Sequence, residues 1–400
     1  MVLDSPLFKN HLLQQIVPIL IIIGLGYLDF ACGYALGYKE IYRHDSKRIA
    51  VTLWCLLGIS NFNTLLYWAL VFIIGPGKAP SFPPLNIYNE PENDELIPLP
   101  DLFFCDESGY PYYCSHSKSI KIERSFFSKH VGYNVLKFDH YCIWIGYPLG
   151  QANYLVFIKY MFWFLSYFII ILVFTAMYTR ASISRGEIDH NFIVLLFMSG
   201  FWIIMITTLS IAHYRYICFN MTTLDDLALG QSKRYNHWKS RGGVDSSVRP
   251  PTRIETGRRF VNVKKGDMRY IVEYNVQERP FDMGIKKNWM NLILNGNRNH
   301  GKSDDWYSYL RLRLAFFVLI VPYIDIPLCF RSRRDGTLKI NDNEAVRSKP
   351  DELLRQYEYY SDVVNDKFRE FINRKIDDGD CYPPRYLGKQ ETSVSSEDVQ

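Results

Sequence analysis

The chain has 400 residues and nearly balanced charge, with 46 basic and 41 acidic side chains and a net charge of +5. It carries no basic stripe with interleaved aromatic residues, which argues against a nucleic-acid-binding protein. A chain of this length would ordinarily form two or three soluble domains. Four long apolar segments exclude that organisation and predict a membrane protein instead.

The four apolar segments are each long enough to cross a hydrocarbon layer of about 30 Å as a helix. They cover residues 12–36, 49–74, 154–178 and 192–219. The first follows a single basic residue, Lys9, and lacks a small-residue cleavage site, so we interpret it as a retained span. The sequence therefore predicts an all-α membrane protein with two pairs of transmembrane helices, in regions 1–75 and 152–219.

A loop of roughly 75 residues, 76–151, joins the two pairs, and loops of this length usually carry function. Its first part, 76–100, is rich in Pro and Asn, which predicts an irregular chain. Its second part, 101–150, is denser in aromatic residues, and we expect it to fold.

The polar tail, residues 220–400, begins with a basic stretch, 230–255, that we expect to be flexible. Residues 258–275 alternate around Lys264-Lys265-Gly266-Asp267 in the pattern of a β-hairpin. Residues 351–376 follow a proline and have the charge spacing of a helix.

Two parts of the tail have unusual composition. The stretch 314–330 is apolar but contains two prolines and an aspartate and is short for a span, which favours a buried or interfacial segment. Residues from 388 onward have a composition typical of disorder.

An even number of spans places both termini, the long loop and the tail on one side of the membrane. We expect that side to be cytosolic, because a large polar tail and unpaired thiols suit a reducing compartment. The eight cysteines contain no CxxC pair, so neither a disulfide framework nor a zinc ribbon is indicated. The short loop 39–48 carries four basic residues, which argues weakly for the opposite orientation.

The stretch Asp139-His140-Tyr141-Cys142 combines an acid, an imidazole and a thiol about a dozen residues before the third span. Only a few per cent of a free thiol is ionised at neutral pH, so attack on a thioester needs a nearby base. His140 can reach the sulfur of Cys142, and Asp139 could orient the imidazole. A thiol at the membrane surface would meet an acyl-CoA where its apolar tail joins its polar headgroup. The alternative is a surface loop with unrelated polar residues, because short motifs recur by chance.

The residues around this motif resemble the core of the DHHC protein S-acyltransferases, or palmitoyltransferases, in the DHYC form found among fungal members. Upstream, Cys114, Lys121 and Arg124-Ser125 match the start of that family's cysteine-rich domain. The matching residues that surround and follow the motif are Asp139, His140, Tyr141, Cys142, Trp144, Gly150, Asn153 and Phe157.

Two elements of the tail extend the resemblance to about residue 294. Thr222-Thr223-Leu224-Asp225, directly after the fourth span, resembles the family's TTxE motif with Asp in place of Glu. Phe281-Asp282-Met283-Gly284 and Asn288-Trp289 resemble its C-terminal D-x-G-x3-N-W element. Without the resemblance, Thr222 would be interpreted as a helix cap.

The resemblance implies Cys142 as the nucleophile that takes an acyl group from acyl-CoA, His140 as its base and Asp139 as the orienter of His140. The acyl group would then pass to a cysteine of a cytosolic or membrane protein substrate. The implied fold is a four-helix membrane bundle with a tent-shaped acyl cavity, capped on the cytosolic side by the cysteine-rich domain.

The family's cysteine-rich domain holds two structural zinc ions, and this chain departs from it there. The first ligand set falls on Cys114, Ser117, Phe127 and Asn134, and the second on Ser128, Val131, Tyr141 and Pro148. Only Cys114 is a zinc ligand, so we predict that neither site binds metal. An aromatic core could replace the metals. Its candidates are Phe103, Phe104, Tyr110, Tyr112, Tyr113, Phe126, Phe127, Tyr133 and Phe138. The alternative is a partly disordered loop and an inactive enzyme.

Other polar residues have weaker assignments. Lys121 and Arg124 could contact the phosphates of CoA, or could be solvated surface charges. Asp29, Asn61 and Asn63 lie within predicted spans, where interhelical hydrogen bonds or proximity to a span end would explain them. His213, near the end of the fourth span, is interpreted as an interface anchor.

The sequence thus predicts a membrane protein S-acyltransferase that uses palmitoyl-CoA or a similar donor through a Cys142 thioester, without a permanently bound cofactor. A catalytically inactive membrane scaffold is the alternative. A solute transporter is disfavoured, because the spans lack paired charges and broken helices at the membrane midplane.

Overall fold

A computed structural model describes residues 11–88, 96–186, 189–241, 256–293 and 350–387. The apolar stretch 314–330, most of the basic stretch 230–255 and the residues after 387 lie outside the described residues. The chain divides into two compact units. The described parts of the first unit are 11–76, 140–186 and 189–215, and those of the second are 77–88, 96–139, 216–241, 256–293 and 350–387.

Four long helices make up most of the first unit. Helix α1 (His11–Phe30) continues as a π-helical stretch over Ala31–Tyr42, and α2 spans Lys47–Ile74. Helix α3 spans Tyr154–Ser184, and α4 spans His190–Phe219, with its last turn in the second unit. All four are long and apolar enough to cross a membrane. The predicted helical membrane fold is confirmed, and most of the helices extend beyond the predicted spans.

A polar cluster joins three of these helices. The carboxylate of Asp29 accepts a 2.9 Å hydrogen bond from Tyr167 Oη on α3 and another from Asn61 Nδ2 on α2. Polar side chains at membrane depth are costly unless they are paired, so these bonds stabilise the contact among the helices. The prediction of an interhelical hydrogen bond is confirmed for Asp29 and Asn61.

Short antiparallel strands form the folded part of the long loop. They are β1 (Leu102–Cys105), β2 (Tyr113–Cys114), β3 (Ser119–Ile120), β4 (Phe126–Ser128), β5 (Tyr133–Val135), β6 (His140–Cys142) and β7 (Tyr147–Leu149). Strands β2–β3, β4–β5 and β6–β7 pair as two-stranded hairpins, of which β6–β7 belongs to the first unit. These strands add to the helical fold that the sequence predicts.

A three-stranded sheet links the loop to the tail within the second unit. Strands β8 (Arg258–Lys265) and β9 (Met268–Asn275) form the hairpin that the sequence predicts around Gly266. Strand β1 pairs antiparallel with β8, so the order is β1-β8-β9. This pairing could not be predicted from the sequence, because a hairpin pattern does not indicate which strand lies beside the hairpin.

The core of the second unit corrects the expectation of an aromatic core within the loop. Phe103 is fully buried, but it packs with Phe260 and Tyr357 of the tail. Tyr113 and Phe126 are 52% and 41% exposed. The strands that carry them are only two or three residues long and cannot cover both faces, so the tail supplies the missing apolar surface.

The described tail contains four α-helices. They are α5 (Thr223–Ser240), α6 (Ile285–Ile293), α7 (Pro350–Tyr360) and α8 (Asp366–Asp377). The expectation of flexibility from residue 230 is wrong for 230–240, because α5 continues through Gly230. Its buried Leu229 and Ser232 favour the helix over the glycine's entropic cost of about 1 kcal/mol.

Candidate functional site

Cys142 and His140 lie on the short strand β6 of the first unit. In the pairing with β7, His140 is opposite Leu149 and Cys142 is opposite Tyr147. Successive strand residues point to opposite faces, so the side chains of His140 and Cys142 leave the strand on the same face. Cys142 is 3% exposed and His140 is half-buried. The thiol and the imidazole are therefore neighbours on one face, with the thiol shielded from solvent.

The turn after Cys142 needs a glycine. The amide of Gly146 donates a 2.7 Å hydrogen bond to the carbonyl of Cys142, and Gly146 has a φ of 82°, in the left-handed region. A Cβ at this position would also lie 2.8 Å from Cγ of Pro18 on α1. The turn that closes the Cys142 hairpin is thus constrained both by its backbone and by its neighbour.

Asn153 fixes the end of this hairpin to the start of α3. Its Oδ1 accepts a 3.0 Å bond from the amide of Gly150, and its Nδ2 donates to the carbonyls of Pro148 at 3.1 Å and Val71 at 3.3 Å. Asn153 is fully buried, so these bonds satisfy a side chain that water cannot reach. The residue joins β7, α2 and α3 behind Cys142.

Asp139 belongs to the second unit, where it is bound by the first residue of α5. The amide of Thr223 donates to Asp139 Oδ1 at 2.8 Å, and Thr223 Oγ1 donates to Asp139 Oδ2 at 2.7 Å. Backbone amides at a helix N-terminus favour a negative charge. The carboxylate directly before His140 in the chain is thus held at both oxygens.

The neighbouring threonine has a different role. Thr222 caps α5: its Oγ1 accepts from the amide of Asp225 at 3.1 Å, and its own amide donates to Asp225 Oδ2 at 2.9 Å. This is a capping box with Asp in the position usually held by Glu. The helix-cap interpretation of Thr222 is confirmed, and Asp225 keeps the reciprocal bond although it is one methylene shorter than Glu.

Asn288 joins two parts of the second unit. Its Nδ2 donates to the carbonyl of Cys218 at 2.7 Å and to Asp282 Oδ1 at 2.8 Å, and its Oδ1 accepts from the amide of Met283 at 3.0 Å. Since Asn288 is 3% exposed, these bonds connect the last turn of α4 to the segment before α6. The side chain therefore has a structural role in the second unit.

Arg124 is buried and paired with carboxylates of the same unit. Its Nε donates to Asp362 Oδ2 at 2.7 Å, its Nη1 lies 3.8 Å from Asp225, and its side chain is only 5% exposed. Burial alone would lower the pKa of the guanidinium, but Asp362 and the other acidic neighbours raise it above its ordinary value. A solvated surface charge, one of the two sequence interpretations, is therefore wrong for Arg124.

The acid next to Arg124 has an altered pKa. Burial of the Glu123 carboxyl group and its closeness to Asp362 raise the pKa of Glu123 to about 7. Glu123 Oε2 also accepts a 3.3 Å bond from the amide of Asp362. The segment after α7 therefore faces a carboxyl group that changes charge near neutral pH.

We expect Glu123→Gln to change the pH dependence of stability. The folded-state pKa lies above the ordinary value of 4.5, so the contribution of Glu123 is fully present below pH 4.5 and is lost as the pH rises through 7. Relative to wild type, the Gln variant should gain up to about 3 kcal/mol between pH 4.5 and 7 and then level off. Melting curves measured across this range test it, with the exposed Glu352→Gln as the matched control. Parallel wild-type and Glu123→Gln profiles would contradict the assignment.

The positions that correspond to the first zinc site do not fit a zinc ion. Asn134 Nδ2 donates to Ser117 Oγ at 2.8 Å, and the ring of Phe127 stacks on His116 with centroids 4.9 Å apart. Hydrogen bonds from Ser117 and from the backbone outweigh burial and lower the pKa of Cys114. These positions offer one thiolate to a metal that requires four thiolate or imidazole ligands. The second set contains neither a cysteine nor a histidine.

The surroundings of His213 differ from those predicted from the sequence. It is 2% exposed, its Nδ1 lies 2.8 Å from Tyr154 Oη, and its ring centroid lies 5.8 Å from that of His140. The interpretation as an interface anchor is therefore wrong. The available signal was a histidine inside an apolar span, a position that is costly without a specific partner.

Comparison with known proteins extends this picture. Residues 107–229 match the family model described as DHHC palmitoyltransferase. Over 385 residues the chain is 53% identical to Palmitoyltransferase PFA5 of Candida albicans, an alignment that covers 95% of this chain and 94% of that protein. The chain belongs to the DHHC palmitoyltransferase family. As a member of this family, it is a membrane-bound protein S-acyltransferase that takes its acyl group from acyl-CoA.

More distant relatives match a smaller part of the chain. Palmitoyltransferase PFA5 of Kluyveromyces lactis is 30% identical over 223 residues, which cover 53% of this chain and 63% of that protein. Palmitoyltransferase PFA5 of Saccharomyces cerevisiae is 27% identical over 242 residues, which cover 55% of this chain and 64% of that protein. The family resemblance inferred from the motifs is thus confirmed.

Proposed function

We propose that this protein transfers a long acyl chain, such as palmitoyl, to cysteines of protein substrates through a thioester on Cys142. The observation that supports it best is the position of His140 and Cys142 two residues apart on β6, which directs both side chains to one face, together with the 3% exposure of Cys142. A thiol is activated by a base that its proton can reach. His140, two residues before Cys142 on the same strand, is the proposed base.

The reaction has two half-steps. His140 accepts the proton of the Cys142 thiol, the sulfur attacks the acyl carbonyl, and the carbon–sulfur bond to CoA breaks as His140 returns the proton to the CoA thiolate. In the second half-step, His140 takes the proton of the substrate thiol, which attacks the Cys142 thioester. Cys142 leaves as a thiolate and regains the proton, so each half-step is balanced.

Asp139 serves as the orienter of His140 in this proposal. Its carboxylate is fixed by the amide and the hydroxyl of Thr223, so the backbone that leads into His140 starts from a defined position. A carboxylate in this role sets the tautomer of the imidazole and stabilises the imidazolium.

The CoA phosphates are the proposed ligands of Lys121 and Arg124. Both side chains line an open cavity of about 360 Å³ in the second unit, together with Arg259 and Arg279. The charge of Arg124 is compensated by Asp362, so Lys121 is the better candidate for a phosphate contact. Nη2 of Arg124 is buried and has no hydrogen-bond partner among the described residues.

The proposed topology has the loop 76–151 and the tail 220–400 on the cytosolic side, with the Cys142 thiol facing the cytosol. Acyl-CoA and unmodified substrate cysteines both occur in that reducing compartment, which supports this orientation over the one suggested by the basic loop 39–48. The substrates would be cytosolic or membrane proteins with accessible cysteines, and no role for nucleic acid is proposed.

We also propose that the cysteine-rich region folds without zinc. The first ligand set is joined by the Asn134–Ser117 hydrogen bond and the His116–Phe127 ring stack, and the tail completes the core around Phe103. A chelator such as 1,10-phenanthroline should therefore leave the melting temperature unchanged, and elemental analysis of the purified protein should find no stoichiometric zinc. A fall in melting temperature that added zinc reverses would contradict this prediction.

The test of the function is covalent loading. Purified protein in detergent is incubated with labelled palmitoyl-CoA, and wild type is compared with Cys142→Ser and His140→Ala before and after hydroxylamine treatment. We expect hydroxylamine-sensitive label in wild type, none in Cys142→Ser and a rate lowered by about 10²- to 10⁴-fold in His140→Ala. Equal label in Cys142→Ser, or none in folded wild type, would contradict the mechanism and favour the scaffold alternative.

A further inference from the structure

A second histidine lies beside the proposed catalytic base. Within the first unit, the rings of His140 and His213 have centroids 5.8 Å apart and are inclined by 33°. Phe157 meets both rings edge to face, at 6.1 Å from His140 and 5.1 Å from His213. Among the described residues, the contacts of the His140 imidazole thus include the ring of Phe157 and the imidazole of His213, both from long helices.

His213 is itself held by a hydrogen bond. Its Nδ1 lies 2.8 Å from Tyr154 Oη, at the first residue of α3, and the two ring centroids are 5.7 Å apart. In either tautomer of His213 this bond fixes the rotation of the ring about its χ2 angle. Tyr154, Phe157 and His213 therefore form a rigid group, since Phe157 is 1% and His213 2% exposed.

Packing alone does not explain a histidine at position 213. A buried imidazole costs free energy unless its polar atoms are bonded, whereas leucine or phenylalanine would fill the same space without that cost. By contrast, His140 lies on a strand of only three residues and is half-buried, so its side chain needs lateral contacts to keep one rotamer. A misplacement of about 1 Å in a reacting group can lower a rate by a large factor.

We propose that Tyr154 and His213 are positioning residues for His140. Tyr154 fixes the His213 ring by its hydrogen bond, and the His213 and Phe157 rings hold the His140 imidazole in the orientation that faces Cys142. This inference rests on the proposed function of His140 as base. It adds no proton-transfer step, because His140 alone exchanges the proton with sulfur.

The test uses variants that separate the hydrogen bond from the ring. Tyr154→Phe removes the hydroxyl and keeps the phenyl ring. His213→Phe replaces the imidazole by an aromatic ring without nitrogen atoms. His213→Asn removes the ring and keeps a polar group near the position of Nδ1. The matched control is Tyr178→Phe, which removes a tyrosine hydroxyl bonded to Asp45 toward the other end of α3. Melting temperatures identify any variant that fails to fold.

Two measurements are made on each variant. The first is the rate of Cys142 loading as a function of palmitoyl-CoA concentration, which separates kcat from KM. The second is the rate of Cys142 alkylation by iodoacetamide at neutral pH, followed by mass spectrometry of the Cys142 peptide. Alkylation needs no acyl donor, so it reports on the thiol even if the proposed transferase function fails.

We expect Tyr154→Phe to lower kcat about fivefold with KM unchanged, as for the loss of one neutral hydrogen bond. His213→Phe should lower kcat about tenfold, and the loss in His213→Asn should lie between those of Tyr154→Phe and His213→Phe. Adding Tyr154→Phe to His213→Phe should not lower kcat further. In a His140→Ala background, neither change should slow alkylation further, because both act through His140.

Three results would overturn the proposal. These are wild-type kcat in both Tyr154→Phe and His213→Asn, an equal loss in Tyr178→Phe, and a further slowing of alkylation by His213→Phe in the His140→Ala background. If His213→Phe does not fold, Tyr154→Phe and His213→Asn decide the question. If wild type and Cys142→Ser load equally, the transferase function fails, while the alkylation rates still decide whether the group positions His140.

Discussion

Thr223→Val is expected to lower the rate of Cys142 acylation by about 10- to 100-fold, whereas Thr222→Val should mainly lower stability. The two threonines are adjacent, but only Thr223 bonds Asp139, through its amide at 2.8 Å and its hydroxyl at 2.7 Å. Valine at position 223 removes the hydrogen bond that the threonine hydroxyl donates to Asp139 Oδ2. A hydrogen bond to a charged group contributes about 1.5–3 kcal/mol, which corresponds to this range of rates.

The control at Thr222 uses the capping box. Thr222→Val removes the acceptor for the amide of Asp225, a loss worth about 1 kcal/mol of helix stability, without touching Asp139. Thr223→Ser restores the hydroxyl and should return the rate to near that of wild type. Single-turnover loading with labelled palmitoyl-CoA, normalised to folded protein, makes the comparison. If Thr222→Val and Thr223→Val lose activity equally, the two threonines do not act on the acylation rate through the hydrogen bonds to Asp139.

Arg124→Met is expected to lower the melting temperature of the folded loop and tail by on the order of 10 °C, from a loss of about 3–5 kcal/mol. The guanidinium is 5% exposed, bonds Asp362 at 2.7 Å and the carbonyl of Asn220 at 2.7 Å, and lies 4.2 Å from the centroid of the Phe281 ring. Its removal takes away a buried positive charge from Asp362 and Asp225, whose side chains are 18% and 30% exposed. Loss of one partner of a buried pair is costly for this reason.

Two further variants test the cause of this loss. Arg258→Met removes an exposed ion pair with Glu273, whose two side chains are 46% and 39% exposed, and should change stability by less than about 1 kcal/mol. Asp362→Asn added to Arg124→Met should recover part of the lost stability, because it removes a negative charge that Arg124 no longer compensates. Thermal unfolding in detergent makes the measurement. A melting temperature near that of wild type in Arg124→Met would show that the pair does not stabilise this unit.

The membrane spans could be predicted from the sequence because span length and apolar composition follow directly from the thickness of the bilayer. The β8–β9 hairpin could also be predicted, since its alternation and its Gly266 turn are local signals. The proposed nucleophile and base, and the threonine motif, could be chosen because their spacing matches a family pattern. In each case, the information lies within one continuous stretch of the sequence.

The parts that could not be predicted depend on contacts between residues distant in sequence. The burial of Phe103 by Phe260 and Tyr357, and the ion pair of Arg124 with Asp362, join the loop to segments far along the tail. The bond between Tyr154 and His213 joins the start of one helix to the end of the next. A single sequence carries no local signal for such pairs, because many buried partners would satisfy the same side chain.

The pairing of β1 with β8 also has a consequence for biosynthesis. The partner strand of β1 is β8, which comes more than 150 residues later in the chain. Helices α3, α4 and α5 are therefore all synthesised before β8. During that interval the loop exposes an unpaired strand edge and the apolar surface around Phe103, both of which favour association with other chains. A stop codon before residue 258 would therefore leave the four long helices attached to a loop whose β1 lacks its partner strand.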